Sequence, residues 1–145
     1  FLRDRSIAGS DHALIAALSA AGLPTSDVNE AGRSFFAYST LAGEAVGFAG
    51  YELYGEQVLL RSIVVPEALR SRCIGRNLVP LLLYRAFQSG ARKAWLLTTT
   101  AAPFFSKIGF NVRERSAVPE VILATRQAKD ICPSSAVVLS RSLGF

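Results

Sequence analysis

The stretch that decides the fold is residues 58–79, VLLRSIVVPEALRSRCIGRNLV. Its first eight residues form an apolar run rich in β-branched side chains, the composition of a buried strand. Pro66 cannot continue a central strand and marks a turn. A basic loop follows, and Gly75 opens a periodic apolar segment that reads as a helix. Arg70, Arg72 and Arg76 surround that opening. A helix start presents unpaired N–H groups and the positive end of the helix dipole, which suits phosphate or pyrophosphate. The stretch is therefore built to hold a phosphorylated small molecule against the end of a strand.

Outward from it, alternating elements account for the rest of the chain. Residues 2–7 read as a short first strand, and Ser10 as the N-cap of a helix carrying Leu14, Ile15, Leu18 and Ala21 at helical spacing. Gly22 and Pro24 end that helix. Residues 34–40 predict a strand, 41–44 a turn, and 45–54 with 57–65 two strands joined through Gly55–Glu56. The helix from Gly75 runs to about Ser89. Pro80 lies inside it and removes one backbone bond, at about 3 kcal/mol, so a bend or a late start is expected. Residues 94–98 predict a buried strand, 101–107 a short helix closed by Gly109, and 110–114 a strand. Pro119 opens a helix through about Ala128, and 135–140 close as a strand. No repeat or linker interrupts the series, so residues 1–145 form one domain.

Composition narrows the function. Half of the residues are hydrophobic, which excludes disorder, and the chain is long enough to bury a real core. Two cysteines, Cys73 and Cys132, make neither a disulfide framework nor a zinc pair, and a reducing, cytoplasmic compartment fits them best. They lie too far apart in sequence to predict a joint thiol site. The apolar runs fall short of the ~20 residues that span a membrane, and FLRDRS does not read as a signal peptide. The chain begins at Phe1 and contains no Met, so residues are expected to precede it. A net charge of +5, carried by 13 Arg and 3 Lys, calls for an anionic partner. A nucleic acid is one reading of that charge, but no basic run or recognition motif supports it, and a phosphorylated cofactor explains the arginines more economically.

These elements resemble the GNAT superfamily of N-acetyltransferases. Val65–Pro66 precedes Arg70-Ser71-Arg72-Cys73-Ile74-Gly75, which is similar to the superfamily's Gln/Arg-x-x-Gly-x-Gly/Ala signature. Phe104-Phe105-Ser106-Lys107-Ile108-Gly109-Phe110 is similar to its late FYxxxGF step. Within the superfamily the chain looks most like small acetyltransferases encoded beside arsenic-resistance genes, on LLRSIVV (59–65), LLTTTAAPFF (96–105) and ICPSSA (131–136).

The resemblance implies an α/β (α+β) fold, with a mixed, mostly antiparallel central sheet of six to seven strands and helices on both faces. It implies acetyl-coenzyme A as donor, and a homodimer is compatible with it. The backbone of Ile63, Val64 and Val65 would lie along the pantetheine arm. The loop and helix start Arg70, Ser71, Arg72, Cys73, Ile74, Gly75 and Arg76 would hold the pyrophosphate, with Thr98 and Phe105 also lining the cofactor. The acceptor would be a small-molecule amine, with no nucleic acid and no membrane as partner, attacking the thioester directly while a backbone N–H near Val64 or Val65 polarises the carbonyl.

Three positions depart from the superfamily pattern. The middle signature glycine is Cys73, read as a small loop residue whose thiol a helix start could acidify. The tyrosine that protonates the leaving thiolate in many relatives falls on Phe105, which has no proton to give. The glutamate base of some relatives falls on Leu59, leaving Glu52 on the preceding strand as substitute or as a solvated strand residue. Thr98, Thr99 and Thr100, Tyr51 and Tyr54 offer hydroxyls to orient a water, and Thr99 joins Glu52 and Arg61 as a catalytic candidate. Arg61 stands inside an apolar strand, where a charge needs a partner. By alternation it shares a face with Leu59, Ile63 and Val65. It reads either as a clamp for an acidic group on the acceptor or as an ion pair with Glu52 or Glu44. His12 reads as a surface residue and Trp95 as core. The alternative to an enzyme is a non-catalytic coenzyme A-binding domain.

Overall fold

The computed structural model describes residues 2–23, 25, 32–65, 74–99, 101–125 and 136–144. The strands are β1 (Leu2–Ile7), β2 (Arg33–Thr40), β3 (Ala45–Tyr54), β4 (Gln57–Val64), β5 (Lys93–Thr98), β6 (Asn111–Arg113) and β7 (Val137–Ser142). The helices are α1 (His12–Ala20), α2 (Ile74–Gln88), α3 (Ala102–Lys107) and α4 (Glu120–Leu123), with a 3-10 turn at Arg115–Ala117. The strands form one seven-stranded sheet in the order β1-β2-β3-β4-β5-β7-β6. Every pairing is antiparallel except β4 with β5. This is the mixed, mostly antiparallel sheet that the sequence led us to expect.

Helices cover both faces. On one, α2 lays Leu78, Leu82 and Ala86 against Phe36, Tyr51, Val58, Leu60 and Leu96, and Phe105 of α3 joins the same cluster. Each such Leu contributes about 1.5–3 kcal/mol by leaving water. On the other face, Leu14 and Leu18 of α1 pack on Phe35 and Val64, while Val118 and Ile122 pack on Leu59, Trp95 and Val138. Trp95 is core, as expected, and its indole N–H donates to Gln57 at 2.6 Å. No helix among the described residues is long and apolar enough to cross a membrane.

Local details refine the sequence reading. Asp11, not Ser10, caps α1, its carboxylate accepting from the Leu14 N–H at 3.1 Å. A carboxylate satisfies an orphan N–H and also complements the helix dipole, and Asp11 is one residue nearer the turn. The Gly55 turn closes β3 to β4 with φ +64°, as its hairpin signal suggests. Helix α2 starts at Ile74 and runs unbroken through Pro80, so the late start does not occur. Pro80 is exposed, so the carbonyl it deprives of a bond lies on the water side of the helix. Helix α4 ends at Leu123 rather than near Ala128, with a turn at Ala124.

Candidate active site

The decisive geometry lies between β4 and β5. They pair over three positions only, Gln57 with Lys93, Val58 with Ala94 and Leu59 with Trp95. Beyond that point β5 stays with β7 through Thr98, and β4 stays with β3 through Val64. The sheet therefore opens into a wedge whose apex is the Leu59–Trp95 pair. Past Leu60, residues 61–64 of β4 have no β5 residue paired with them. An exposed strand edge of this kind accepts an extended polar chain.

A bulge shapes the β4 arm of the wedge. Phe48 stands opposite Val64 and Gly50 opposite Arg61, so β4 carries one residue more than β3 between them. Ser62 supplies it with φ +57°, rare for a residue with a Cβ. The extra residue reverses the alternation. Leu60, Ile63 and Val65 turn to the α2 face, whereas Val64 turns to the α1 face. The expectation that Arg61 shares a face with Ile63 and Val65 is thereby corrected: Arg61 lies with Leu59 below the bulge and Val64 above it.

Glu52 and Arg61 meet across the strands. Glu52 stands directly opposite Leu59 on β4 and opposite Arg33 on β2. The Arg61 Nη1 lies 2.9 Å from Glu52 Oε2, with both side chains closed to water. Arg33 Nη2 lies 3.6 Å from Glu52 Oε1, and the Tyr54 hydroxyl donates to that same oxygen. Burial, then the bond to Glu52, pushes the Tyr54 phenol up to about 12. Arg61 also donates from Nε to Ser62 Oγ at 3.1 Å and stacks over the Phe35 ring, 5.5 Å from its centroid. Phe35, Gly50 and Arg61 form one cross-strand row. A Cβ on Gly50 would stand 2.5 Å from Phe35, so glycine lets the ring lie flat between them. Of the two readings for Arg61, the Glu52 ion pair is the contact present. Arg33, Phe35 and Ser62 complete it and were not singled out from sequence, because only register brings them to Glu52 and Arg61.

The cofactor candidates divide. Ile74, Gly75 and Arg76 form the first turn of α2, with Arg76 exposed. Arg70, Ser71, Arg72 and Cys73 lie outside the described residues, as do Thr100 and Cys132. At Gly75 a Cβ would stand 2.9 Å from the Phe104 ring. Glycine thus leaves the Phe104 ring of helix α3 in place, whatever else approaches. Phe105 is only 6% exposed and stacks edge-to-face with Phe104 and Phe110, at 5.1 and 5.7 Å between centroids. Thr98 Oγ1 accepts the Ala101 N–H at 3.0 Å and so helps start α3, while Thr99 is exposed just past the end of β5. Tyr51 points to the α2 face, its hydroxyl 3.3 Å from Ser89, away from Glu52. His12 is exposed on the first residue of α1.

Comparison with known proteins agrees with this geometry. The description of the acetyltransferase (GNAT) family matches residues 9–110. A Klebsiella pneumoniae protein described as an acyl-CoA N-acyltransferase superposes with TM-score 0.76 at 22% identity, over 99% of both chains. Rv2747 from Mycobacterium tuberculosis, solved with CoA and NLQ, gives 0.73 at 18% identity over 99% of both chains. N-acetylglutamate synthase from Neisseria gonorrhoeae, solved with coenzyme A and N-acetyl-glutamate, gives 0.78 at 17% identity, over all of this chain and 36% of that one. At such identities the likeness concerns the fold. No curated protein matches in sequence. With its family match extending from the residues before α1 to Phe110, through the wedge and both motif blocks, the chain belongs to the GNAT family of acetyltransferases.

Proposed function

We propose that the protein is an acetyl-coenzyme A-dependent N-acetyltransferase acting on the amine of a small anionic acceptor. The observation that carries this is the wedge opened past Leu59 and Trp95, in a chain of the GNAT family. The residues fit the cofactor: the open β4 edge at Ile63 and Val64 suits the amide-bearing pantetheine arm, and the N–H groups at the start of α2, with Arg76 beside them, suit pyrophosphate. Arg70, Arg72 and the rest of the loop before α2 complete that subsite in this reading. Acetyl-coenzyme A, when bound, supplies a thioester carbonyl that the neutral acceptor amine attacks, so that an amide forms and a thiol departs.

The chain's own groups then have defined tasks. Backbone N–H groups near Ile63 to Val65 stabilise negative charge on the carbonyl oxygen. Two hydrogen bonds and the Arg33 ion pair already engage the Glu52 carboxylate, so it acts by holding Arg61 and Tyr54 in place beneath the wedge, and the amine proton leaves through water near Thr99. A thiol of ordinary pKa, about 8.5, can leave without a protein acid. This accommodates phenylalanine at position 105. The narrower likeness to acetyltransferases beside arsenic-resistance genes supports a cytoplasmic setting and a small acceptor in this reading.

A coenzyme A-binding domain without catalysis is the second reading, favoured by Leu59 and Phe105, both buried and apolar. Mass spectrometry of acceptor amines after incubation with acetyl-coenzyme A separates the two. N-acetylated product above the uncatalysed rate supports the enzyme. Cofactor binding with no product from a broad amine panel supports the second.

A further inference from the structure

Arg115 opens the 3-10 turn that follows β6, and one of its terminal nitrogens, Nη2, is buried with no hydrogen-bond acceptor. A buried donor without a partner is costly, more so on a charged group, and is kept where something outside the chain completes it. The turn is tied to the apex of the wedge. It leads into Val118 and Ile122, which pack on Leu59 and Trp95, the apex of the wedge. Just before it, Arg113 stands opposite Val138, which stands opposite Leu97 on the β5 arm. Arg113 donates to the buried Ser140 at 3.0 Å, which fixes the end of β6 on this face. Arg61, by contrast, is engaged by Glu52 on β3 and by its own neighbour Ser62.

We propose that Arg115 binds a carboxylate of the acceptor, which makes the preferred acceptors small amines bearing a carboxylate, such as amino acids. The planar guanidinium matches a carboxylate with two parallel donors, a geometry lysine cannot reproduce. The proposal rests on the acetyltransferase reading above, and it moves the acidic-group contact from Arg61 to Arg115.

The test is thiol release from acetyl-coenzyme A with a panel of amino acids and, for each, its C-terminal amide, on wild type, Arg115→Lys, Arg115→Gln and Arg61→Lys. The proposal expects wild type to prefer each acid over its amide. Both Arg115 variants should raise KM for the acids by on the order of ten-fold or more, as loss of a charged hydrogen bond does. They should leave KM for the amides and for acetyl-coenzyme A unchanged. Arg115→Gln should not lower the melting temperature, since it removes a donor that lacks a protein partner. Acid and amide KM values rising together, or a selective loss in Arg61→Lys with Arg115 variants silent, would overturn the assignment while leaving the acetyltransferase reading intact. A wild-type protein that releases no thiol with any member of the panel would overturn both.

Discussion

The Glu52–Arg61 pair gives the sharpest quantitative expectation. The perturbation is Glu52→Gln, which keeps the shape and removes the charge. At 2.9 Å the two opposite charges attract by about 6 kcal/mol at an effective dielectric near 20, and desolvation of both groups offsets much of that. Removing one charge of a buried pair costs about 3–5 kcal/mol. Glutamine still accepts one bond from Arg61, so the low end applies: about 3 kcal/mol, or roughly 10 °C in melting temperature for a chain of this size. Urea unfolding at neutral pH reads the change. The double variant Glu52→Leu with Arg61→Leu should recover most of the loss, because apolar residues of similar volume need no counter-charge. A single variant within about 1 kcal/mol of wild type, or a double variant less stable than the single, would refute this reasoning.

Gly75→Ala should lower stability through its Phe104 contact, and Phe104→Leu in the same chain should restore part of it by vacating the ring edge; acetyl-coenzyme A affinity by calorimetry should follow stability, and an affinity that stays low in the double variant would show that phosphate approach sets the requirement instead. Tyr54 has a folded pKa raised to about 12, so its contribution is complete below the unfolded phenol value near 10 and is lost as pH rises through about 12. Tyr38, buried without a partner for its hydroxyl, shifts in the same direction. Tyr54→Phe should therefore flatten part of the alkaline stability loss between those two values, and an unchanged alkaline limb in urea melts would contradict it.

Much of the fold was legible because local signals and tertiary structure agree. Alternation and Gly55–Glu56 mark the β3–β4 hairpin, and Gly90, with φ +106°, closes α2 where its glycine signal stands. The face of Arg61 was not legible. A bulge at Ser62 reverses the alternation beyond it, and serine in a left-handed conformation leaves no compositional mark as glycine would. Register across β2, β3 and β4 brings Arg33 and Phe35 to Glu52 and Arg61, and sequence carries no direct record of register. The surroundings of Gly75 were half legible: the glycine stood out, but the ring that a Cβ there would meet, Phe104, comes from a helix 29 residues further along the chain. Arg115 escaped notice because one more arginine in a basic chain stands out only once its terminal nitrogen is seen buried and unmet.

The most direct measurement of the central claim is amide hydrogen exchange with and without acetyl-coenzyme A. Groups on the open edge of β4 exchange through water, and a bound pantetheine arm would take its place. The account predicts added protection at Ile63 to Val65 and at the first turn of α2, with β1 and β2 unchanged. Protection confined to other segments, or none at saturating cofactor, would contradict it.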